Sequence, residues 1–520
     1  MGEMSMSHDQ PRRFLTVVSI AAVAVAVALA GRAGLEAQQP TGTVAIVGAT
    51  VIDGNGGAPM ANATVVVKDK RITAVGPRGS VTVPAGATII DGAGKFVTPG
   101  FIDTNVHISM YANLETLARY LPRATEVVIE GAQLELKYGI TTVRDSYGEM
   151  QTLLKVRDMI ARGEVVGPRM QVAGNIVGWG GPFSITFSLT RDSGLSPFQE
   201  QVNDLISQGG GEELMDMTPD ELRVAINKYM DKGVDFVKYG GTSHANNPVF
   251  IGFSPDAQKA LVEEVHKRGK VAETHSTSIE GLRLSVNAGI DLIQHPEVLD
   301  PREMPDDLVQ LIHDKKIIGS MLTNQIAGAA WKRHLKTKEE NAKKAAEAAK
   351  EAEGGARTKT LAERRQDARN SGLGIEMRRL NAQKLIKAGN ILTPGTDNYI
   401  GTAPEFRREP KPIWTEPGMG TITAIEGLVE LGMTPSQAIV AGTKNGALAC
   451  RLTKDLGTIE VGKLADLLVL DADPLADIAN IRKLRTVIKE GRVVDPAKLP
   501  ENPVWHKPAT PAPTSQAAVR

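Results

Sequence analysis

Between Gly269 and Pro296 a short apolar strand, a helical stretch and a second short apolar strand follow one another, and both strands end in histidine. The first, Gly269-Lys270-Val271-Ala272-Glu273-Thr274-His275, comes after the helical stretch Ser254 to Arg268. The helical stretch Ile279 to Ala288 then leads into Gly289-Ile290-Asp291-Leu292-Ile293-Gln294-His295. A β/α repeat of this length returns its second strand parallel to the first, which puts His275 and His295 side by side at one rim. Three more apolar strands run into groups of the same chemical kind. Gly233 to Gly241 carries Lys238 at its end, Ile391 to Asn398 reaches Asp397, and Val97 to His107 closes on Asn105-Val106-His107. Residues two apart on a strand share a face, so Asn105 and His107 project into one cavity.

A lone histidine is more often packed in a core or solvated than it is a ligand, and only the joint occurrence at strand ends changes that reading. His266 lies inside a helical stretch and reads as structural, and His244, in the glycine-rich loop after Lys238, is at most a substrate contact. Lys238 has two readings. It could form a salt bridge to a nearby Asp, or desolvation could lower its pKa and leave a neutral amine able to take up CO2 as a carbamate. Cys450 is the single cysteine, which excludes an intrachain disulfide and a cysteine-rich zinc site, and its predicted helix suggests core packing. With 60 basic and 60 acidic residues the chain is neutral, so nothing asks for nucleic acid or an anionic membrane surface as partner.

The run Val97-Thr98-Pro99-Gly100-Phe101-Ile102-Asp103-Thr104-Asn105-Val106-His107 resembles the first barrel strand of the amidohydrolase superfamily, whose motif there is His-x-His. Gly139 to Asp145 and Gly167 to Gly174 are similar to the second and third strands of its imidazolonepropionase-like and Xaa-Pro dipeptidase-like subgroup. Gly462-Lys463-Leu464-Ala465-Asp466-Leu467 is a specific marker of the family, and the likeness covers about residues 43 to 496. Two departures stand out. Asn105 replaces the first His, and Gly180-Gly181-Pro182 stands where relatives often carry Gly-Gly-His.

The resemblance implies an α/β fold, a (β/α)8 TIM-like barrel with a small β-sandwich domain built from both chain ends. It implies a divalent metal, zinc first, as one or two ions. His107, Lys238 as its carbamate and Asp397 would hold one; Lys238, His275 and His295 would hold the other. Asp397 would act as general base and then general acid. An amide oxygen is a weaker and harder donor than imidazole, which leaves Asn105 as a weak ligand or as a residue behind the ligands. Three outcomes stay open: two metals, one metal, or a silent relative. The implied activity is metal-dependent hydrolysis of the amide bond of an N-acyl amino acid or small peptide. A lactone or other cyclic ester is the alternative substrate, and a binding protein without turnover the alternative class.

The rest of the chain divides around this barrel. Arg12 and Arg13 before an apolar run and small-residue cleavage candidates read as a signal peptide over residues 1–37, with an uncleaved anchor helix as the alternative, and the expectation is an exported, periplasmic or secreted protein with no membrane contact after cleavage. Short strands and turns in 38–98 and 453–496 read as the two parts of the β-sandwich, flanking the barrel at 99–452. Within the barrel a long loop, about Asn175 to Met217, carries Trp179, Phe183, Phe187 and Phe198 and is read as a lid or specificity wall, or else a surface excursion. Residues 331–372 form a charged helical insertion, a solvated hairpin by preference and a contact in a homo-oligomer as the alternative. The tail 497–520, rich in Pro and Ala, reads as disordered.

Overall fold

The computed structural model describes residues 42–109, 114–187, 194–244, 249–351, 360, 373–401 and 412–505. The signal peptide of the sequence reading, much of the second half of the charged insertion and the last part of the tail lie outside the described residues.

The first strands are short and rich in Val and Ile, as their alternation requires: β1 (Thr43–Val51), β2 (Met60–Lys68), β3 (Arg71–Pro77), β4 (Thr88–Asp91) and β5 (Phe96–Pro99). Ten strand segments of the central unit follow, β6 (Phe101–His107), β7 (Ile140–Asp145), β8 (Arg169–Val172), β9 (Ile176–Val177), β10 (Val237–Gly240), β11 (Ala272–His275), β12 (Leu292–Gln294), β13 (Ile318–Met321), β14 (Leu392–Pro394) and β15 (Asn398–Tyr399). The chain closes with β16 (Leu467–Leu470), β17 (Leu484–Lys489) and β18 (Arg492–Val494).

Strands from both ends of the chain form one eight-stranded sheet in the order β18-β17-β16-β5-β1-β2-β3, with β4 also on β1. Ile46, Val65, Ile72 and Val97 share a core with Leu467, Val469 and Ile488, so neither end of the chain buries its apolar face alone. The central segments are all parallel and run in two ladders, β15-β6-β7-β8 and β14-β13-β12-β11-β10-β9. The ladders are not one continuous sheet. The chain itself joins them, because β8 and β9 are two halves of the third strand and β14 and β15 two halves of the eighth, which completes the ring of eight. Strands buried on both faces read as continuous apolar runs, and β7, β10 and β11 are buried throughout.

The eighth strand bends at Gly395, whose backbone packs so tightly that a Cβ would lie 2.0 Å from Ser320 Oγ. Past the bend, the amides of Thr396 and Asp397 both donate to the Asn105 carbonyl, at 3.1 and 2.8 Å. The first strand and the eighth are thereby closed on each other. In the charged insertion the described part is the helix Gly328–Glu351, which agrees with a helical first half. Among the described residues no helix is long and apolar enough to cross a membrane. The expectation of disorder from 497 does not hold for the first nine positions. Leu499, Val504 and Trp505 are buried, because apolar side chains this close to the end still find a cleft to fill.

The family marker acquires a physical role at the junction of barrel and sheet. Asp466 Oδ2 accepts from Arg169 of β8 at 2.9 Å, its Oδ1 accepts the Glu490 amide at 2.7 Å, and its carbonyl accepts the Gly100 amide at 2.8 Å. Burial alone would raise this carboxyl, but Lys489 and Arg169 outweigh it and hold it below its ordinary value. Against its own burial Glu490 is held at about 2 by the same two cations. Removing one member strands a buried charge, so Asp466→Ala should destabilise the fold by about 3 to 5 kcal/mol in urea titration at neutral pH. Both folded pKa values are depressed, so the stabilisation is complete above about pH 5 and is lost as pH falls toward 2. The stability gap between the protein and Asp466→Ala should therefore narrow across that window. A gap constant from pH 7 to pH 3 would mean that the network does not act through charge.

Candidate metal centre

All the strand-end groups face one interior. His107 and His275 are the last residues of β6 and β11, and His295 and Asp397 lie just beyond β12 and β14 with φ of +42° and +54°. Lys238 sits deeper than its sequence position suggests. It is the second residue of β10 rather than its end, paired in register with Glu273, two residues before His275. Its amine is buried, and burial lowers its pKa against the pull of Asp397, Glu273 and Asp145. Among the described residues no carboxylate lies within ion-pair distance of it, so the salt bridge offered as the plain reading of Lys238 is not formed.

The four other groups meet as two pairs. His107 Nε2 lies 2.9 Å from Asp397 Oδ1, while its Nδ1 lies 3.2 Å from the Tyr147 carbonyl. Both ring nitrogens thus face acceptors. An imidazole satisfies both only as the cation, or as the Nδ1–H tautomer with a metal ion taking the Nε2 lone pair. In the second pair His275 Nδ1 and His295 Nε2 are 2.9 Å apart, and the outer nitrogens, His275 Nε2 and His295 Nδ1, are buried without partners. Burial lowers both rings, His295 to about 3 and His275 well below its ordinary value, so both are neutral. Two neutral rings that share one hydrogen bond leave one lone pair and one N–H unmet. Such buried orphans cost about 1 to 3 kcal/mol each unless a ligand takes them, and the donor set therefore fits a metal ion. Among the described residues no three His, Cys, Asp or Glu side chains stand close enough to hold an ion as they are, because they bond one another in pairs instead.

Asn105 joins the first pair from behind. Its Nδ2 donates to Asp397 Oδ1 at 2.8 Å, and its Oδ1 is buried with no partner. Burial pushes the Asp397 carboxyl up, but the His107 hydrogen bond and the charges of His107 and Lys238 outweigh it and hold the carboxyl well below its ordinary range. Beneath lies a charged floor that sequence reasoning missed. Arg144 donates to Glu273 Oε2 at 2.7 Å and lies over the Phe236 ring, and Gln294 donates to Glu273 Oε1 at 2.8 Å. A second missed pair is Asp103 and Glu135, raised by burial to about 7 and about 8, which both accept from Thr421. The signal for Glu273 was present, since it precedes His275 by two positions on a strand and so shares its face.

Over these groups opens a cavity of about 460 Å³. Its polar lining includes His107, Lys238, His275, Asp397, Glu149 and Gln325, and most of the rest is aromatic and aliphatic. Phe187 stacks on Tyr147 at 5.7 Å, and Trp179 meets the His275 ring edge-on at 4.6 Å. His244 lines the cavity too, with its ring parallel to Phe187 at 4.5 Å. His266 lies elsewhere and binds Asp291 at 2.8 Å, as a structural residue should. Of the long loop's aromatic residues Trp179, Phe183 and Phe187 form the wall and Phe198 packs behind it. The loop is not all irregular. Ser196 and Gln199 make a capping box for the helix Pro197–Ser207, a local signal the sequence reading passed over.

This arrangement defines a barrel hydrolase whose metal-type donors sit at the carboxyl ends of parallel strands. The profile of the Amidohydrolase family matches residues 96–494, and the chain belongs to that family. It is a hydrolase acting on carbon–nitrogen bonds, in a family that generally binds divalent metals. Ochratoxinase of Aspergillus niger is 25% identical over 458 residues, 85% of this chain and 84% of that protein. Among solved structures, molinate hydrolase is 31% identical with a TM-score of 0.77, covering 91% of this chain and 99% of its own. Phenylurea hydrolase B has the same identity and TM-score, covering 89% and 99%.

The charged floor yields a measurable expectation. Arg144→Met leaves Glu273 charged and buried, and should cost about 3 to 5 kcal/mol in chemical denaturation. The double variant Arg144→Met/Glu273→Leu should lose less than the single one. An equal or larger loss would show that the pair acts through shape rather than charge.

Proposed function

We propose that the chain uses one or two divalent metal ions, zinc by the chemistry of the donors, to hydrolyse the amide-type bond of a small uncharged molecule carrying a bulky apolar group. His107, Lys238 and Asp397 would hold one ion, and Lys238, His275 and His295 the other, with Lys238 as a carbamate. The observation that carries the reading is a convergence on one cavity. Two neutral imidazoles with bare nitrogens, a buried amine with no carboxylate beside it and a carboxylate gripped by a third imidazole all line it or lie against it. A metal bound there supplies a Lewis acid and a water of lowered pKa. Asp397 is held as the carboxylate, with Oδ1 engaged by Asn105 and His107, which leaves Oδ2 to take the proton of the attacking water and return it to the leaving nitrogen. Asn105 fixes the direction of that carboxylate.

The apolar wall supports the substrate reading. Tyr147, Trp179 and Phe187 seat a ring or branched chain and keep bulk water out. Among the described lining residues Lys238 is the only Lys or Arg, and it is committed to the metal, so the bulky group carries no carboxylate. The relatives named for molinate and for phenylurea point the same way. A second reading, an N-acyl amino acid or small peptide, rests on His244, the imidazole that faces the cavity and could meet a free carboxylate.

Metal analysis and a panel of neutral anilides, ureas and carbamates, N-acyl amino acids, dipeptides and lactones test this. We expect bound metal, turnover abolished by chelation and restored by zinc, and kcat/KM on the best neutral amide about tenfold or more above its carboxylate-bearing analogue, a difference of about 1.4 kcal/mol. Preference for the N-acyl amino acids overturns the uncharged substrate, and turnover of lactones alone overturns the amide. Asn105→His should raise the metal content per protein; unchanged content would mean that Asn105 does not face the ions. We propose further that the chain is exported and cleaved near residue 37. A protein recovered with Met1 in the cytoplasm would overturn that.

A further inference from the structure

We infer that Val504 and Trp505, from the C-terminal segment, hold the apolar wall of the cavity in shape, which makes Trp505 a positioning residue for the bulky half of the substrate. The inference rests on the reading of the cavity as the substrate site. It concerns a segment more than a hundred positions away from every proposed ligand in the chain.

The apolar lining of the cavity is built partly from Leu117, Leu121 and Ala124. These lie on the helix Leu114–Tyr120, the short turn Leu121–Arg123 and the start of the helix Ala124–Lys137. Seven residues carry no more than two turns of helix, too little to hold a position without outside packing. The packing comes from the tail. Trp505 lies against the Tyr120 ring at 4.7 Å, and Val504 and Trp505 form one buried cluster with Tyr120, Val127 and Ile400.

The tail is seated by specific bonds and not by apolar contact alone. Glu130, itself buried on the helix Ala124–Lys137, accepts the backbone amides of both Val504 and Trp505, the latter at 2.7 Å. Two backbone amides on one carboxyl oxygen set the register of the strap. One turn along, Gln133 Oε1 accepts the Glu501 amide at 2.8 Å and its Nε2 donates to the Glu501 carboxylate at 3.2 Å. Ile400 connects the cluster to the other side of the cavity, since Tyr399 lines the cavity and Asp397 lies three positions before Ile400. One indole thus braces two walls. His107, Lys238, His275 and His295 stand outside the cluster that the tail joins, and Asp397, three positions before Ile400, is held by Asn105 and His107, so loss of the tail should loosen the seat of the apolar group and leave the metal set in place.

The test uses the full-length holoprotein with Trp505→Ala, Trp505→Phe and a chain ending at Asn502. Hydrogen exchange is followed at 114–124 and at β11, alongside metal content and the kinetics of the preferred neutral amide. We expect faster exchange at 114–124 with β11 unchanged and metal content unchanged. KM should rise about five- to tenfold with kcat within about twofold, as losing contact with one or two methylene groups would do. Trp505→Phe should recover most of the KM. Unchanged exchange at 114–124 in Trp505→Ala overturns the inference whatever the activity, and so does loss of protection across the whole chain. A fall in kcat at constant KM overturns it as well. If the wild type turns over nothing in the panel, the substrate reading falls, and the exchange result still decides the role of Trp505.

Discussion

The carbonyl of Asn105 accepts two amides from the bend of the eighth strand, and its side chain holds Asp397 from the same side. These bonds close the first strand on the last. Without that closure Asp397 and His107, 290 positions apart in the chain, would have no reason to meet at 2.9 Å. The residue that departs from the family motif is therefore also the residue that fastens the ring. Its backbone would do so whatever the side chain, whereas its amide nitrogen adds a grip on the carboxylate that an imidazole would make differently.

One cause, removal from water, acts on His275, His295, Lys238, Asp397 and Asp145 and gives opposite results according to the neighbours. His275 and His295 lose their protons because burial outweighs the pull of Asp397. Lys238 is lowered for the same reason, despite three carboxylates in the vicinity. Asp397 keeps its charge because His107 touches it, while Asp145, buried near Lys238, is raised to about 8. The interior thus offers neutral lone pairs beside one ionised carboxylate. That is the electronic state in which imidazole and carboxylate bind a cation, reached here by burial and pairing. The aromatic residues beside these groups carry no charge, and the two sets divide the work between holding and seating.

Much of the architecture was legible along the chain. The strands ending at His107, His275 and His295 could be read from runs of Val and Ile, from glycine punctuation and from the helical stretches between them. The eight-stranded sheet could be read as two halves that need each other, and it pairs β16 with β5 in the structure. Lys238 was placed at a strand end although it lies inside one, since glycines after a short strand mark its end only to within a few residues. The tail misled more. Its Pro and Ala content describes a chain with little to bury, yet Val504 and Trp505 find a cleft that Glu130 lines. Glu130 itself gave no hint, because a glutamate in a helix is usually solvated.

What the amino-acid order determined alone was the set of chemical groups and the face each would share, because the period of a strand is fixed by covalent geometry and needs no partner. It also determined the alternation of strand and helix that leads to a parallel ring. Only the tertiary structure decided which groups pair. His275 with His295, His107 with Asp397, Arg144 with Glu273 and Trp505 with Tyr120 are contacts between separate elements, and their energies depend on how much water each pair excludes. That quantity belongs to the packed molecule, and no local stretch of sequence contains it.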